Sequence, residues 1–483
     1  MIRQSRNFTK FLCLATILVL THACTWNKEE VVFKESGYPK EVDAIITAKC
    51  SISGCHNDKS KGAAAGLALE TWDHLFEGSR GGAVVIPFRS DFSTLFYYVN
   101  TDSTLGLTLL PTMPIGRPAL SRSEVLTLRD WIDQGAPDKN GFVKFSDNPA
   151  RKKFYVANQG CDVVTVFDAA SMLAMRCVNV GNSAAIESPH MLKVSEDNQF
   201  WHTVFLTGHY FQTYSVAENA LVSEVNIGSG NWNTFSLSSD GKSAYVIDFS
   251  GGTIAIVDLP NATAQTIFGF TNPHGSALNP NNDTLYIVKQ TQSGLYKLDV
   301  ANLTGFDEID LVQSFPASQE LRPHEIAFSP DGTKYFVTCQ STNEVRVVSA
   351  ANDSVIAAIP VGIFPQEMAF SLTHPYLFVS CMEDVGSNPD QVGSIAIINY
   401  QTNTFVKKLY AGYQSHGIAV DDANNRAYIS NRNVSFLGPA PHHSSICGGR
   451  NGNVTAIDLN TLELVPDFQA EVSVDPYGIG IMH

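Results

Sequence analysis

Cys50-Ser51-Ile52-Ser53-Gly54-Cys55-His56 sets two thiols and an imidazole side by side. Three chemistries suit that set. Two thiols can add to the vinyl groups of a porphyrin, with the adjacent imidazole falling under the iron. The same donors can hold zinc, or the cysteines can close a short disulfide loop. Covalent haem attachment usually has two residues between the cysteines and here there are four, so spacing alone leaves all three open.

A second set is spread along the chain. His190, His274, His324 and His416 follow Pro189, Pro273, Pro323 and Ser415 at one position of a repeated phrase. If that phrase opens the innermost strand of a ring, four imidazoles converge at one mouth. There they could bind copper, zinc or an anionic substrate. The alternative is that Pro-His is simply the consensus of the repeat, each imidazole bonding the backbone of its neighbour.

Positioning elements surround the cysteine motif. Val42, Ile45 and Ile46 recur at helical spacing in Pro39 to Lys49, which predicts a helix running into Cys50. Pro111-Thr112-Met113-Pro114 offers a thioether in a proline-fixed loop, suited to a sixth coordination position. Ser121 and Glu124 read as a capping box for a second helix, Ser121 to Gln134. Val125, Leu128, Trp131 and Ile132 form its apolar face, and Gly135 and Pro137 end it.

With these in place, Gly66-Leu67-Ala68-Leu69, Ala83-Val84-Val85-Ile86-Pro87, Ser93-Thr94-Leu95-Phe96, Met113-Pro114 and Trp131-Ile132-Asp133-Gln134-Gly135-Ala136-Pro137 resemble the small c-type cytochrome domain of planctomycete-type and related bacterial proteins. The resemblance covers residues 39–140 and includes versions with the longer cysteine spacer. It implies one covalent haem c on Cys50 and Cys55, with His56 and Met113 as axial iron ligands.

The N-terminus carries Arg3, Arg6 and Lys10, then an apolar run from Phe11 to Leu20, then Thr21-His22-Ala23-Cys24. This reads as a signal peptide over residues 1–23. It resembles a bacterial lipobox, which implies diacylated Cys24 as the mature N-terminus and a membrane anchor. Residues 24–38 read as a polar tether. Lys28-Glu29-Glu30 resembles the acidic export signal of some Gram-negative surface lipoproteins. The expected location is therefore the periplasmic face or the surface of a Gram-negative outer membrane.

From Arg151 onward, short β-rich runs alternate with Gly, Asn and Asp turns, with a repeat of roughly 40–50 residues. One unit runs from Pro323 through Ser329-Pro330-Asp331-Gly332 to Tyr335-Phe336-Val337 and Val345-Arg346-Val347. The phrase recurs at Pro189, Trp232, Pro273, Pro365 and Ser415. Lys153 to Asn158 lacks a preceding strand, and Pro476 to Met482 lacks following ones. Joined, they complete one blade and close a seven-bladed propeller without free edges. Tyr155-Val156-Ala157-Asn158 and Tyr428-Ile429-Ser430-Asn431 resemble the Y-V-T-N type of bacterial propeller. The expected fold is thus multidomain: a small all-α cytochrome c domain, then an all-β seven-bladed propeller over residues 151–483.

Insertions at residues 384–392 and 432–450 are candidate partner loops. Cys161 and Cys177 are expected to pair, Cys339 and Cys381 to lie in equivalent places, and Cys447 to be unpaired.

The chain has 483 residues, 44% of them hydrophobic, and a formal net charge of -15, which argues against a nucleic-acid partner. Three functions are weighed. The first is electron transfer, with the propeller docking a redox protein or small-molecule substrate. The second is a periplasmic oxidoreductase, since propellers joined to c-type haem occur in the haem d1 nitrite reductase and amine dehydrogenase-like families. The third is a surface binding module. No quinone-cofactor tryptophan pair, Ser-His-Asp signature or clear acid–base carboxylate pair marks catalysis, so whether the chain is an enzyme stays open.

Overall fold

Runs such as Lys153–Asn158 and Val163–Asp168 are buried at every residue. A strand reads that way when both faces of its sheet are covered. In the computed structural model, which describes residues 35–386, 392–433 and 451–483, the cover comes from neighbouring blades. The expected signal peptide, Cys24, most of the tether and most of both insertions lie outside the described residues. Burial falls outward along each blade, and the outermost strands Leu221–Asn226 and Thr263–Phe268 are largely exposed.

Seven antiparallel sheets form the propeller. Six begin with the innermost strands Pro189–Val194, Trp232–Leu237, Pro273–Leu278, Pro323–Phe328, Pro365–Phe370 and Ser415–Asp421. The seventh joins both ends of the repeat region. Pro476–Ile481 pairs with Lys153–Asn158, setting Phe154 opposite Ile481 and Val156 opposite Ile479. The innermost strands touch one another in ring order, the last against the first.

Blade turns follow their sequences. In Ser329-Pro330-Asp331-Gly332, Ser329 Oγ donates to Asp331 Oδ1 at 2.6 Å and the Thr333 amide donates to the same oxygen. Gly332 adopts φ +67°, and a Cβ there would meet Pro280 of the adjacent blade at 2.7 Å. Glycine thus serves both the turn and the blade contact.

Two features recur where the innermost strands begin, the first in six of the seven. Ser188, Asn272, Arg322, Phe364, Gln414 and Asp475 all take left-handed φ values between 42° and 62°. The ladder also shifts register just after each opening residue, as between Pro323 and Ile326 or Pro365 and Met368. In six of the strands such bulges leave the second and third residues outside regular pairing, and in the Trp232 strand the second alone, which re-aims their side chains.

Four helices precede the propeller: α1 (Lys40–Lys49), α2 (Trp72–Leu75), α3 (Thr94–Val99) and α4 (Arg122–Asp133). Val42, Ile45 and Ile46 are the buried face of α1. The α4 capping box forms in both directions, and Val125, Leu128, Trp131 and Ile132 are buried. α1 packs on α4, with Lys49 Nζ 2.5 Å from Glu124. No described helix is long and apolar enough to cross a membrane.

The helical part is not a separate bead. Val125, Leu128 and Trp131 share one apolar cluster with Tyr155, Trp201 and Tyr214 of the propeller. The Arg89 guanidinium donates to Cys177 O and Asn179 Oδ1, and the Glu471 amide donates to Gly81 O.

One expectation fails. Cys161 forms a disulfide, but not with Cys177, which keeps its thiol. Cys161 sits in the turn before Val163–Asp168, whereas Cys177 faces Thr165 in mid-strand, so the two are out of register. Cys339 and Cys381 do occupy equivalent places, each opposite the opening proline of its blade, and both are reduced and buried.

Candidate functional site

The long cysteine spacer folds into a compact turn at the end of α1. The Cys55 amide donates to Ile52 O, and the His56 amide returns to Cys50 O at 3.1 Å. Gly54 supplies the left-handed step at φ +81°. The four intervening residues therefore loop out, and Cys55-His56 comes back onto Cys50. Both cysteines are free thiols, so no disulfide bridges them. Burial pushes the Cys50 thiol up to about 11, with a further upward contribution from nearby Cys55.

His56 is gripped by the Gly66–Leu69 stretch. The Leu69 amide donates to His56 O at 2.9 Å, and His56 Nδ1 lies 3.4 Å from Leu67 O. A carbonyl only accepts, so Nδ1 carries the proton and Nε2 keeps its lone pair. Metal-binding histidines are held this way by their far nitrogen. Burial also lowers the pKa of His56, favouring the neutral ring.

The Met113 loop lies against α3. The Met113 amide donates to Tyr98 O at 2.7 Å, and the Leu109 amide to Tyr97 O. Met113, Leu105, Leu107 and Leu109 pack on the apolar cluster that contains Cys50. The Trp131–Pro137 run ties the end of α4 inward. Trp131 Nε1 donates to Pro137 O, Trp72 Nε1 donates to Ala136 O, and Asp133 accepts from the Ser90 amide. Two unbridged thiols and an imidazole with its Nε2 lone pair available, with the Met113 thioether packed on the cluster that contains Cys50, are donor types that fit haem c.

The second site is the channel mouth. The second residues of the seven innermost strands are His190, Asn233, His274, His324, Gln366, His416 and Tyr477, and all are buried. Ring centroids lie 4.1 Å apart for His274 and His324, and 3.6 and 3.8 Å from Tyr477 for His416 and His190. The four histidines therefore share one ring, but their roles differ. His274 Nδ1 donates to His324 O at 3.1 Å, which is the plain structural use of the repeat consensus. His190 Nδ1 is held by Gln159 Oε1, while its Nε2 is buried without a partner. His324 Nε2 and both nitrogens of His416 are likewise buried and unpartnered. The third residues of two consecutive strands, Glu325 and Glu367, lie in the same layer. The channel beyond, about 1370 Å³, is lined by residues further along the same strands, including Ile326, Ile418, Ile479 and Lys193.

Sequence reasoning missed Glu367 and Tyr477. The repeat alignment carried the signal. Pro323-His324-Glu325 and Pro365-Gln366-Glu367 share an acid in the third slot, and Tyr477 stands where the histidines stand.

Burial drives the pKa values here. It brings His274 down to about 4 and holds His190, His324 and His416 well below the ordinary imidazole value. It raises Glu325 to about 7 and holds Glu367 well above the ordinary carboxyl value, with help from Glu325 and against the opposing pull of Lys193. The Arg432 charge beside Tyr477 is paired with Asp475 at 2.6 Å. Between about pH 6.5 and 5.5 the unfolded histidines take up protons that the folded ring refuses. Stability should therefore fall on acidification, by up to about 1.4 kcal/mol per pH unit for each imidazole. The two glutamates act oppositely, because their folded forms keep protons the unfolded chain loses as pH rises above about 4.5. Over that window four imidazoles outweigh two carboxyls, so urea unfolding should show lower stability at pH 5.5 than at pH 6.5. A flat or rising stability on acidification would contradict this account of the mouth.

No protein-family model and no curated protein matches the chain. Solved structures do. A functionally unknown protein from Desulfotomaculum acetoxidans is 14% identical, at a TM-score of 0.53, over 68% of this chain and 99% of that one. A putative 6-phosphogluconolactonase from Bacteroides fragilis is 12% identical, at 0.51, over 70% and 99%. Dihydro-heme d1 dehydrogenase NirN in complex with DHE is 14% identical, at 0.47, over 91% and 98%. At identities this low, the likeness to the first two is one of fold, and the chain is a seven-bladed β-propeller preceded by a four-helix segment.

Proposed function

We propose that the chain is an exported haem c protein that transfers electrons, anchored through diacylated Cys24 on the periplasmic or outer face of a Gram-negative outer membrane. The propeller docks its redox partner or substrate. One observation carries the haem reading: Cys50 and Cys55 remain unbridged while the Leu67 carbonyl fixes the tautomer of the adjacent His56. Cys50 and Cys55 would hold the porphyrin, and His56 and Met113 would ligate its iron. When bound, the group would supply a one-electron couple. The protein's part is to orient His56 through Leu67, to seat Met113 on α3, and to exclude water with Leu105, Leu107 and Leu109.

Protein produced with haem-maturation machinery should show about one covalent haem per chain in the pyridine haemochrome assay. Cys50→Ser with Cys55→Ser should show none. Absence of haem from the parent chain would refute the proposal. Cys24→Ser should move the haem-bearing protein from the membrane fraction to the soluble one; unchanged fractionation removes the anchor but not the haem.

A second reading, an oxidoreductase with its site on the propeller, is favoured by the unpartnered imidazoles at the mouth. Substrate-dependent reduction of the haem, abolished by His416→Ala with the haem retained, would establish it. Reduction unaffected by that change would dismiss it.

A further inference from the structure

We infer that His324, His416 and Glu367 form a binding site for one divalent transition-metal ion at the propeller mouth. This goes beyond the haem reading and does not depend on it. Three observations converge. One atom from each side chain, two imidazole nitrogens and a carboxylate oxygen, lies within 4.8 Å of the others. All three residues are buried, at 3%, 0% and 9% exposure. His324 Nε2 and both His416 nitrogens have no hydrogen-bond partner among the described residues.

A buried polar atom left unpaired costs about 1–3 kcal/mol, so native folds rarely keep several together without a use. A cation would engage His324 Nε2, one His416 nitrogen and a Glu367 oxygen at once. The register shift after each opening residue explains the meeting, because it frees the second residue of two strands and the third residue of the strand between them.

Donor chemistry selects the ligand. Two imidazoles and one carboxylate are borderline donors, suited to zinc, copper or iron rather than calcium or magnesium. His324 Nε2 and Glu367 Oε1 are 4.0 Å apart. Ligands of a tetrahedral zinc stand about 3.3 Å apart, so the side chains close by roughly an ångström.

One adjustment is required. His324 Nδ1 lies 3.0 Å from the side-chain nitrogen of Gln290. Metal on Nε2 needs Nδ1 to donate, so the Gln290 amide turns to present its oxygen. His416 needs no such change. The ring is thereby divided: His274 is committed to the backbone and His190 to Gln159, while His324 and His416 face the metal with Glu367.

The test uses the full chain, stripped with chelator and then dialysed against zinc chloride, with zinc counted by mass spectrometry so that haem iron does not interfere. About one zinc per chain is expected. His416→Ala and Glu367→Gln should each weaken binding at least about tenfold. Asp58→Asn, which disrupts the separate Asp58, Glu70 and His74 group, should bind as the parent does. Glu367→Gln is nearly isosteric, and circular dichroism establishes that it is folded before binding is read. No zinc on the parent chain, or equal binding by folded Glu367→Gln, would overturn the inference.

Discussion

A chain ending at Asp475 is expected to lose its folded propeller. The missing residues include the strand Pro476–Ile481, whose pairing with Lys153–Asn158 joins the two ends of the ring. They also include Met482, whose amide donates to Lys153 O. Tyr477 goes too, leaving His190 and His416 without the ring stacked between them. A bare edge appears at the centre of the molecule, where both neighbouring blades had packed. Domains of ordinary stability have about 5–15 kcal/mol to lose, and one inner strand with its blade contacts is on that scale. The truncated chain should aggregate or unfold without a cooperative transition in urea. Removing only His483, an exposed residue bonded to Asn198, should change stability by less than about 0.5 kcal/mol. A soluble, cooperative protein ending at Asp475 would show that the ring does not need its closure.

Met113→Ala is the second large effect. If Met113 ligates the haem iron, its removal replaces a thioether by water or an open position. Thioether ligation raises the reduction potential, so the variant should fall by on the order of 0.1 V, within the roughly 0.8 V that axial ligands span. The weak sulfur–iron absorption should vanish, while covalent haem on Cys50 and Cys55 persists. Leu110→Ala serves as the control, since its side chain is 84% exposed directly before the loop. An unchanged potential in folded Met113→Ala assigns the sixth position elsewhere.

Much of this architecture was legible in the sequence because it is periodic or local. The helix before Cys50, the capping box of Ser121 and Glu124, and the blade count rest on spacing, and spacing survives folding. Closure could be read because the first repeat lacked an opening strand and the last lacked its successors. What could not be read is contact between distant strands. Cys161 and Cys177 are close in sequence and belong to one blade, yet one is in a turn and the other faces Thr165. The grouping of Glu367 with His324 and His416 joins three blades, and no local pattern marks it. Nor did spacing show that the helices share a core with the propeller, because that packing depends on which blades they cover.

The left-handed residues that open six of the innermost strands bear on how this mouth can diversify. The bend before each strand is imposed by backbone conformation and blade packing, not by the side chain two positions on. This chain already places histidine, asparagine, glutamine and tyrosine in those seven places without changing the course of the strands. The mouth behaves as a set of sockets whose spacing is fixed and whose inserts are exchangeable. A related ring could therefore trade one ligand preference for another by single substitutions at the second residue, leaving the scaffold as it stands.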